Sequence, residues 1–477
     1  MAQISVGWGG VGRVGCDWLC DQSAGVSIMT GWLRSVDPGA GDRAGPGASV
    51  ALADSLRLPC GVVLPNRIAK AAMTECLADP RTNDPNARHE RLFRRWATGG
   101  VGLMVTGNVM VDRRFLERTS NVVIDERTDR AGLERWARAA QSTGVPTLVQ
   151  VNHPGRQCSV FVSRSPVAPS RVRVKVLGAF VTPRALSDDE VDALVTRYAQ
   201  VATQVVAAGF AGVQVHAAHG YLASQFLSPR ANLRTDRWGG SLANRARFLL
   251  EAVRRTRAAV GSGAVVAVKL NSADFQRGGF EPGDAVQVAR WLQDEGVDLL
   301  EISGGTYESP GFMGLGAHGE SSDGPEAYFL DSAVRVRREV GIPLMLTGGL
   351  RTAATMRRIV ADGTVDVVGL ARPLALEPDL PRGLLDGTTE ASRARPLRLG
   401  WTQADAMLEA GWYGAQIARI ADGRDPAPDL PRWRAIQNYL AAEATHAVKR
   451  TTSRRHWAHQ QVPGHRVHQA PGRRRAG

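Results

Sequence analysis

The sequence predicts an α/β fold: a (β/α)8 TIM barrel with a hairpin insertion after strand 3 and extra C-terminal helices. Three observations carry this reading. From residue 66 onward eight short apolar or β-branched runs recur, at 66–73, 102–109, 147–153, 212–218, 265–271, 299–305, 343–349 and 366–372. Most are separated by an amphipathic helical stretch, the alternation of βα units whose parallel strands close on themselves. The runs are almost continuously apolar, as strands covered on both faces are.

The elements between the strands carry their own punctuation. Ser187-Asp-Asp-Glu190 is a capping box that opens a helix running to about Ala208, where Gly209 stops it. A second long helix spans 242–260 and ends at Gly261-Ser-Gly263. A third starts at Glu281-Pro-Gly-Asp284 and ends before Gly296. Between His153 and the capping box the connection is too long for a simple crossover. Its alternating run Val172-Arg-Val-Lys-Val176 and the return Phe180-Val181 suggest a hairpin over the functional face. Beyond Arg372, helices are expected at 404–421 and 430–447. The domain reading is therefore a poorly ordered extension over 1–50, a barrel with its C-terminal helices over 51–447, and a basic disordered tail over 448–477.

Composition narrows the function classes. The 477 residues are 43% hydrophobic and 22% charged. No apolar run approaches the roughly 18 to 20 residues that span a bilayer. The Gly-interrupted N-terminus lacks the order of a secretory signal, so a cytoplasmic location is expected. Cys16, Cys20, Cys60, Cys76 and Cys158 are scattered, with no C-x-x-C pair. No iron–sulfur cluster or metal site is expected from them. The net charge of +13 is concentrated in the last 29 residues, which hold eight Lys or Arg and no acid. That tail has one aromatic side chain, Trp457, so nucleic acid is not an expected partner. Gly7-Trp-Gly-Gly-Val-Gly12 matches a dinucleotide fingerprint only formally, because neither a proper strand before it nor a helix after it can be read.

Chemistry concentrates at the strands' carboxyl ends. The fourth run ends on His216, with His219 and Tyr221 close behind. Two imidazoles can donate hydrogen bonds to an oxygen gaining negative charge, and a phenol can supply a proton. The seventh and eighth ends, Gly348-Gly349 and Ala371-Arg372, offer open backbone N–H groups beside a guanidinium, where barrels often hold a phosphate. Gln150 and Lys269 are polar side chains in otherwise apolar strands, a costly placement unless they are paired. A carboxamide presents donor and acceptor together, as a flavin edge requires. Lys269 could stabilise negative charge on a reduced ring or pair with a barrel carboxylate.

The segments Leu64-Pro-Asn-Arg-Ile-Ala-Lys-Ala-Ala-Met-Thr-Glu75, Asn152-His-Pro-Gly-Arg-Gln157, His216-Ala-Ala-His-Gly-Tyr221, Arg234-Thr-Asp-Arg-Trp-Gly-Gly-Ser241 and Leu346-Thr-Gly-Gly349 resemble the Old Yellow Enzyme family of flavin oxidoreductases. The resemblance covers about residues 52–390. It implies a barrel holding non-covalent FMN, reduced by NAD(P)H and reoxidised by an electron-poor alkene or another small-molecule electron acceptor. It further implies that His216 and His219 hydrogen-bond the acceptor's carbonyl oxygen and that Tyr221 protonates its α-carbon. Gln150 would meet the flavin pyrimidine edge, and Lys269 stands where many members carry arginine. Ala72, Met73, Thr74 and Gly107 would line the isoalloxazine, with Thr74 tuning the flavin through O4. Gly348, Gly349, Ala371 and Arg372 would hold the phosphate. Quinone, nitro or nitrate-ester acceptors are the alternative substrates, and a homo-oligomer is an open possibility. Relatives with a four-cysteine cluster and a second nucleotide-binding domain are disfavoured, since no cysteine follows Cys158.

Overall fold

The computed structural model describes residues 50–176, 180–309, 326–397 and 402–434, with isolated positions as far as 448. The expectations for residues 1–49, and for the tail beyond 448, lie outside these described residues. So does part of the helix expected at 430–447.

Eight parallel strands form a closed barrel: β1 (Ile68–Lys70), β2 (Leu103–Met110), β3 (Thr147–Asn152), β4 (Gly212–Ala217), β5 (Val265–Asn271), β6 (Leu299–Ser303), β7 (Leu344–Thr347) and β8 (Val367–Leu370). Each pairs with its sequence neighbour, and β8 pairs with β1 to close the ring. The hydrogen-bonded spans are shorter than the apolar runs. Around β1, Asn66 turns its side chain to the backbone, donating to Gly100 O at 3.0 Å and accepting from Ile68 N at 3.0 Å. A short antiparallel pair, Leu56–Arg57 with Val63–Leu64, precedes the barrel.

Helices α1 (Ala87–Ala97), α2 (Arg130–Ala140), α3 (Asp188–Ala207), α4 (Leu222–Leu227), α5 (Leu242–Val260), α6 (Pro282–Asp294), α7 (Leu330–Arg337), α8 (Ala353–Ala361), α9 (Arg372–Leu376), α10 (Leu380–Asp386) and α11 (Thr402–Ala421) accompany the strands. The capping box at α3 is present in both directions: Ser187 Oγ accepts from Glu190 N, and the Glu190 carboxylate accepts from Ser187 N. Each bond satisfies an N–H that the helix cannot pair internally.

The insertion after β3 departs from expectation. Residues 172–175 form no strand, and the two short strands present, Val167–Ala168 and Arg184–Ala185, pair in parallel rather than as a hairpin. Alternation alone did not produce a strand because Arg171, Arg173 and Lys175 have no partner strand to pair against. Arg173 instead donates to Phe180 O at 2.8 Å.

Alternate residues of each strand point into the barrel and stack in layers. The lowest layer is apolar and includes Ala69, Leu103, Leu148, Val265, Leu299 and Met345. Above it lies a buried polar layer. Gln150 Nε2 donates to Gln214 Oε1 at 2.8 Å, Gln214 Nε2 donates to Glu301 Oε2 at 2.7 Å, and Lys269 Nζ lies 2.9 Å from Glu301 Oε1. Above that again, at the carboxyl rim, are Asn152, His216, Asn271 and Ser303.

Candidate active site

A one-residue bulge in β2 prepares the site. The register passes from Val105↔Leu148 to Asn108↔Gln150, three steps on β2 against two on β3. Since side chains alternate faces along a strand, the extra residue reverses which face the following ones present. Asn108 thereby turns into the barrel mouth, where its Oδ1 lies 2.8 Å from His216 Nδ1. Gly107 sits at the bulge because a Cβ there would press into the Met73 carbonyl oxygen and the Glu75 carboxylate. Its N–H donates to Glu75 Oε1 at 2.8 Å.

His216, His219 and Tyr221 come together at the end of β4. His216 Nε2 is 3.2 Å from His219 Nδ1, and His219 Nε2 is 2.8 Å from Ser303 Oγ. His219 has φ +59°, a left-handed conformation, and its N–H donates to Asn271 Oδ1 at 3.0 Å. That strained residue is held by the strand ends around it, as functional loops often are. Tyr221, 3% exposed, is the residue before α4, and its hydroxyl is 2.7 Å from the Tyr307 hydroxyl. Tyr307 in turn donates to Glu117 Oε1 at 2.8 Å. The other Glu117 oxygen accepts from Asn108 Nδ2 at 2.8 Å and from Thr74 Oγ1 at 3.2 Å.

Glu117 fixes the direction of these bonds. Asn108 Nδ2 donates to Glu117 Oε2, which leaves the Asn108 carbonyl facing His216. His216 then carries its proton on Nδ1, leaving Nε2 to accept from His219 Nδ1–H, and Ser303 Oγ donates to His219 Nε2. Burial holds both imidazoles well below the ordinary histidine range, and the Lys269 charge adds to this, so both are neutral. Each ring therefore carries one proton, and the one lying in the contact between them belongs to His219 Nδ1. The Tyr221 phenol is pushed well above its ordinary range by burial and by the negative charge of Glu117.

The residues expected to hold a phosphorylated group also converge. Gly348, Gly349, Ala371 and Arg372 line one cleft, together with Arg351 and Tyr328. Arg372, the first residue of α9, is bound through Nη1 to both Glu409 oxygens, at 2.9 and 2.7 Å. The ring of Tyr328 packs on Gly349, where a Cβ would collide with it. Gln150 and Lys269 find partners within the barrel, which is the second of the two readings that Lys269 allowed. Ala72, Met73 and Thr74 follow β1, and Met73 and Thr74 lie against the β2 bulge at Gly107.

Among the described residues, the buried polar atoms at the strand ends that keep no protein partner include both amide atoms of Asn152 and the Thr347 hydroxyl. Such atoms are rarely left unpaired, so a polar ligand spanning β3 and β7 fits these ends. A planar ring with alternating donors and acceptors has that character. Sequence reading missed Glu117 and Tyr307, which lie on loops and are 190 positions apart. Glu301 carried a legible signal, a charge inside an apolar strand. Among the described residues no helix is long and apolar enough to cross a membrane, and no group of three or more potential ligands could hold a metal ion.

Residues 60–390 match the model of the NADH:flavin oxidoreductase / NADH oxidase family. An NADH-dependent flavin oxidoreductase of Hypocrea jecorina is 38% identical in an alignment 358 residues long that covers 69% of this chain and 88% of that protein. The NADH oxidase of Thermoanaerobacter brockii is 33% identical over 336 residues, 68% of this chain but 49% of its own length. Among solved structures, morphinone reductase superposes with a TM-score of 0.61 at 26% identity, covering 73% of this chain and 92% of that one. The old yellow enzyme homologue from Zymomonas mobilis gives 0.61 at 25% identity, covering 72% and 95%. A closed eight-strand barrel, the ordered motifs and these matches agree: the chain belongs to the NADH:flavin oxidoreductase / NADH oxidase family, the Old Yellow Enzyme group of flavin-dependent oxidoreductases.

Proposed function

We propose that this flavin oxidoreductase is an FMN-dependent, NAD(P)H-using reductase of electron-poor alkenes such as α,β-unsaturated carbonyl compounds. The observation that carries the reading is the meeting of one imidazole-held proton and one phenolic proton at the same strand end. A carbonyl oxygen that replaces His216 Nε2 as the acceptor of His219 Nδ1–H would be polarised there. Its α-carbon would then face the Tyr221 hydroxyl. Neutral imidazoles suit this task, since they stabilise the charge that develops on the oxygen without binding anions indiscriminately in the ground state.

Gln150, Lys269 and the unpaired Asn152 amide would hold the flavin ring, with Ala72, Met73, Thr74 and Gly107 against it. The cleft of Gly348, Gly349, Ala371 and Arg372 would take its phosphate. When bound, FMN supplies the hydride that the β-carbon accepts. The barrel's own residues orient the acceptor, exclude water from its carbonyl and hold the proton at Tyr221 Oη.

Stopped-flow reoxidation of the reduced, flavin-loaded enzyme tests the reading with a panel of enones, quinones, nitro compounds and nitrate esters. Enones reoxidising the enzyme fastest is the expected result. Rapid turnover confined to quinone, nitro or nitrate-ester acceptors would assign the same site to the alternative substrates.

A further inference from the structure

The loop that follows β2 sends one carboxylate, Glu117, into the site from behind. It is 8% exposed and receives donors from three directions: Thr74 after β1, Asn108 on β2 and Tyr307 after β6. Such a buried acceptor is more than a structural anchor, because one of its chains ends on the phenol that faces the acceptor. Three oxygens stand in sequence, Glu117 Oε1, Tyr307 Oη and Tyr221 Oη, with separations of 2.8 and 2.7 Å.

The protonation of Glu117 decides which way that sequence points. With the carboxylate ionised, Tyr307 donates to Glu117 and so must accept from Tyr221. The Tyr221 proton then points away from the acceptor. Giving it up in that state would leave a phenolate buried beside a carboxylate, an arrangement of two like charges in a poorly screened site. With Glu117 protonated, its O–H donates to Tyr307, Tyr307 donates to Tyr221, and the Tyr221 proton is released toward the site.

We infer that Glu117 is the acid end of a proton relay, Glu117–Tyr307–Tyr221, that aims the Tyr221 proton at the acceptor and replaces it as it leaves. The inference rests on the proposed role of Tyr221 as proton donor. In the step, a C–H bond forms at the acceptor's α-carbon as the Tyr221 O–H bond breaks. The Tyr221 O–H re-forms with the proton of Tyr307, and the Tyr307 O–H with that of Glu117. Glu117 then regains a proton from solvent water at its slightly exposed edge. The acceptor's β-carbon is reduced by the hydride that the reduced enzyme supplies, so one hydride and one proton are consumed per alkene. Glu117 and Tyr307 are positioning residues that act through Tyr221.

The groups that face the relay are Tyr221 from the end of β4, Tyr307 from the loop after β6, Cys76 from the segment after β1, and Arg118 with its partner Glu443. His216 adjoins it through Asn108, and Lys269 lies beyond. Arg118 is paired with Glu443 at 2.9 Å. Within this set the carboxyl that bonds directly to the phenol chain is Glu117.

The test compares wild type, E117Q, Y307F and Y221F in the flavin-loaded enzyme by stopped flow across pH. It measures reduction by NADH, reoxidation by cyclohexenone, and reoxidation by ferricyanide, which needs no carbon-bound proton. Cyclohexenone rates should drop about tenfold or more in E117Q and Y307F, and the dependence of that rate on pH seen in wild type should be lost in both. The ferricyanide rate should change by less than about twofold.

Wild-type cyclohexenone rates and pH profile in E117Q would overturn the relay, as would equal losses in all three reactions. If Y221F itself reoxidises normally, the donor role of Tyr221 falls instead, and the two failures are told apart. Y307F keeps the question answerable should E117Q not fold.

Discussion

Gly107 and Tyr221 show how much of this site rests on single side chains. At Gly107 the absent Cβ lets the segment after β1 cross the β2 bulge, so the carbonyl of Met73 and the carboxylate of Glu75 lie against it. Gly107→Ala should cost about 1–3 kcal/mol, because the obstructing atoms include backbone that cannot swing aside. Urea unfolding measures this, and an unchanged midpoint would show that the bulge can relax. For Tyr221, removing the hydroxyl should slow enone reoxidation by about 100-fold or more while leaving reduction by NADH nearly intact. Equal loss in both half-reactions would contradict a proton-donor role. His216 and His219 stood out in the sequence as a strand-terminal pair, but the proton they share did not. Its position follows from Asn108, which the bulge turns inward, and from Glu117 beyond it.

At the scale of elements, the barrel's polar layer links three strands that follow one another in the sheet, β4, β5 and β6, and reaches β3 through Gln150. Lys269 and Glu301 form its buried ion pair. A buried pair contributes little net stability, but breaking one is expensive because the remaining charge is left without a partner. Lys269→Met should therefore destabilise the fold by about 3–5 kcal/mol, and K269M/E301L should recover most of it. Flavin affinity separates structure from binding. If Lys269 also contacts the cofactor, the double variant will fold as wild type yet bind FMN more weakly. Recovery of both would reduce Lys269 to a barrel ion pair. The insertion after β3 makes the complementary point about elements. Its alternation at 172–176 resembles a strand, but a strand needs a neighbour. The ladder instead formed between Val167–Ala168 and Arg184–Ala185, in parallel.

For the molecule as a whole, buried histidines set the response to acid. Burial pushes His153 down to about 4 and His89 to about 3, and His216 and His219 are lowered as well. An unfolded chain would protonate its histidines near pH 6.5. Between that value and the folded values the unfolded state binds more protons, so stability is full above pH 6.5 and falls as pH falls. Between pH 7 and pH 5, His153 alone should withdraw about 2 kcal/mol. Urea midpoints at the two pH values check this, and equal or greater stability at pH 5 would contradict it. In the pH 5 to 6.5 window histidines titrate ahead of the carboxylates, and His153→Asn should flatten part of the slope.

The sequence by itself determined the barrel, the order of its eight strands, the helix boundaries at Ser187 and Gly261, and the clustering of His216, His219 and Tyr221 at one strand end. Those features are local. Apolar runs, capping residues and glycines act within a few positions of themselves, and parallel βα units leave few ways to close. Tertiary structure alone decided that Lys269 meets Glu301, that Arg372 meets Glu409, and that Glu117 reaches Tyr307 from 190 positions away. Buried polar groups must find partners, but sequence spacing does not name them. The closing of the barrel brings the strand ends and their loops within hydrogen-bond reach, and there one carboxylate gathers Thr74, Asn108 and Tyr307.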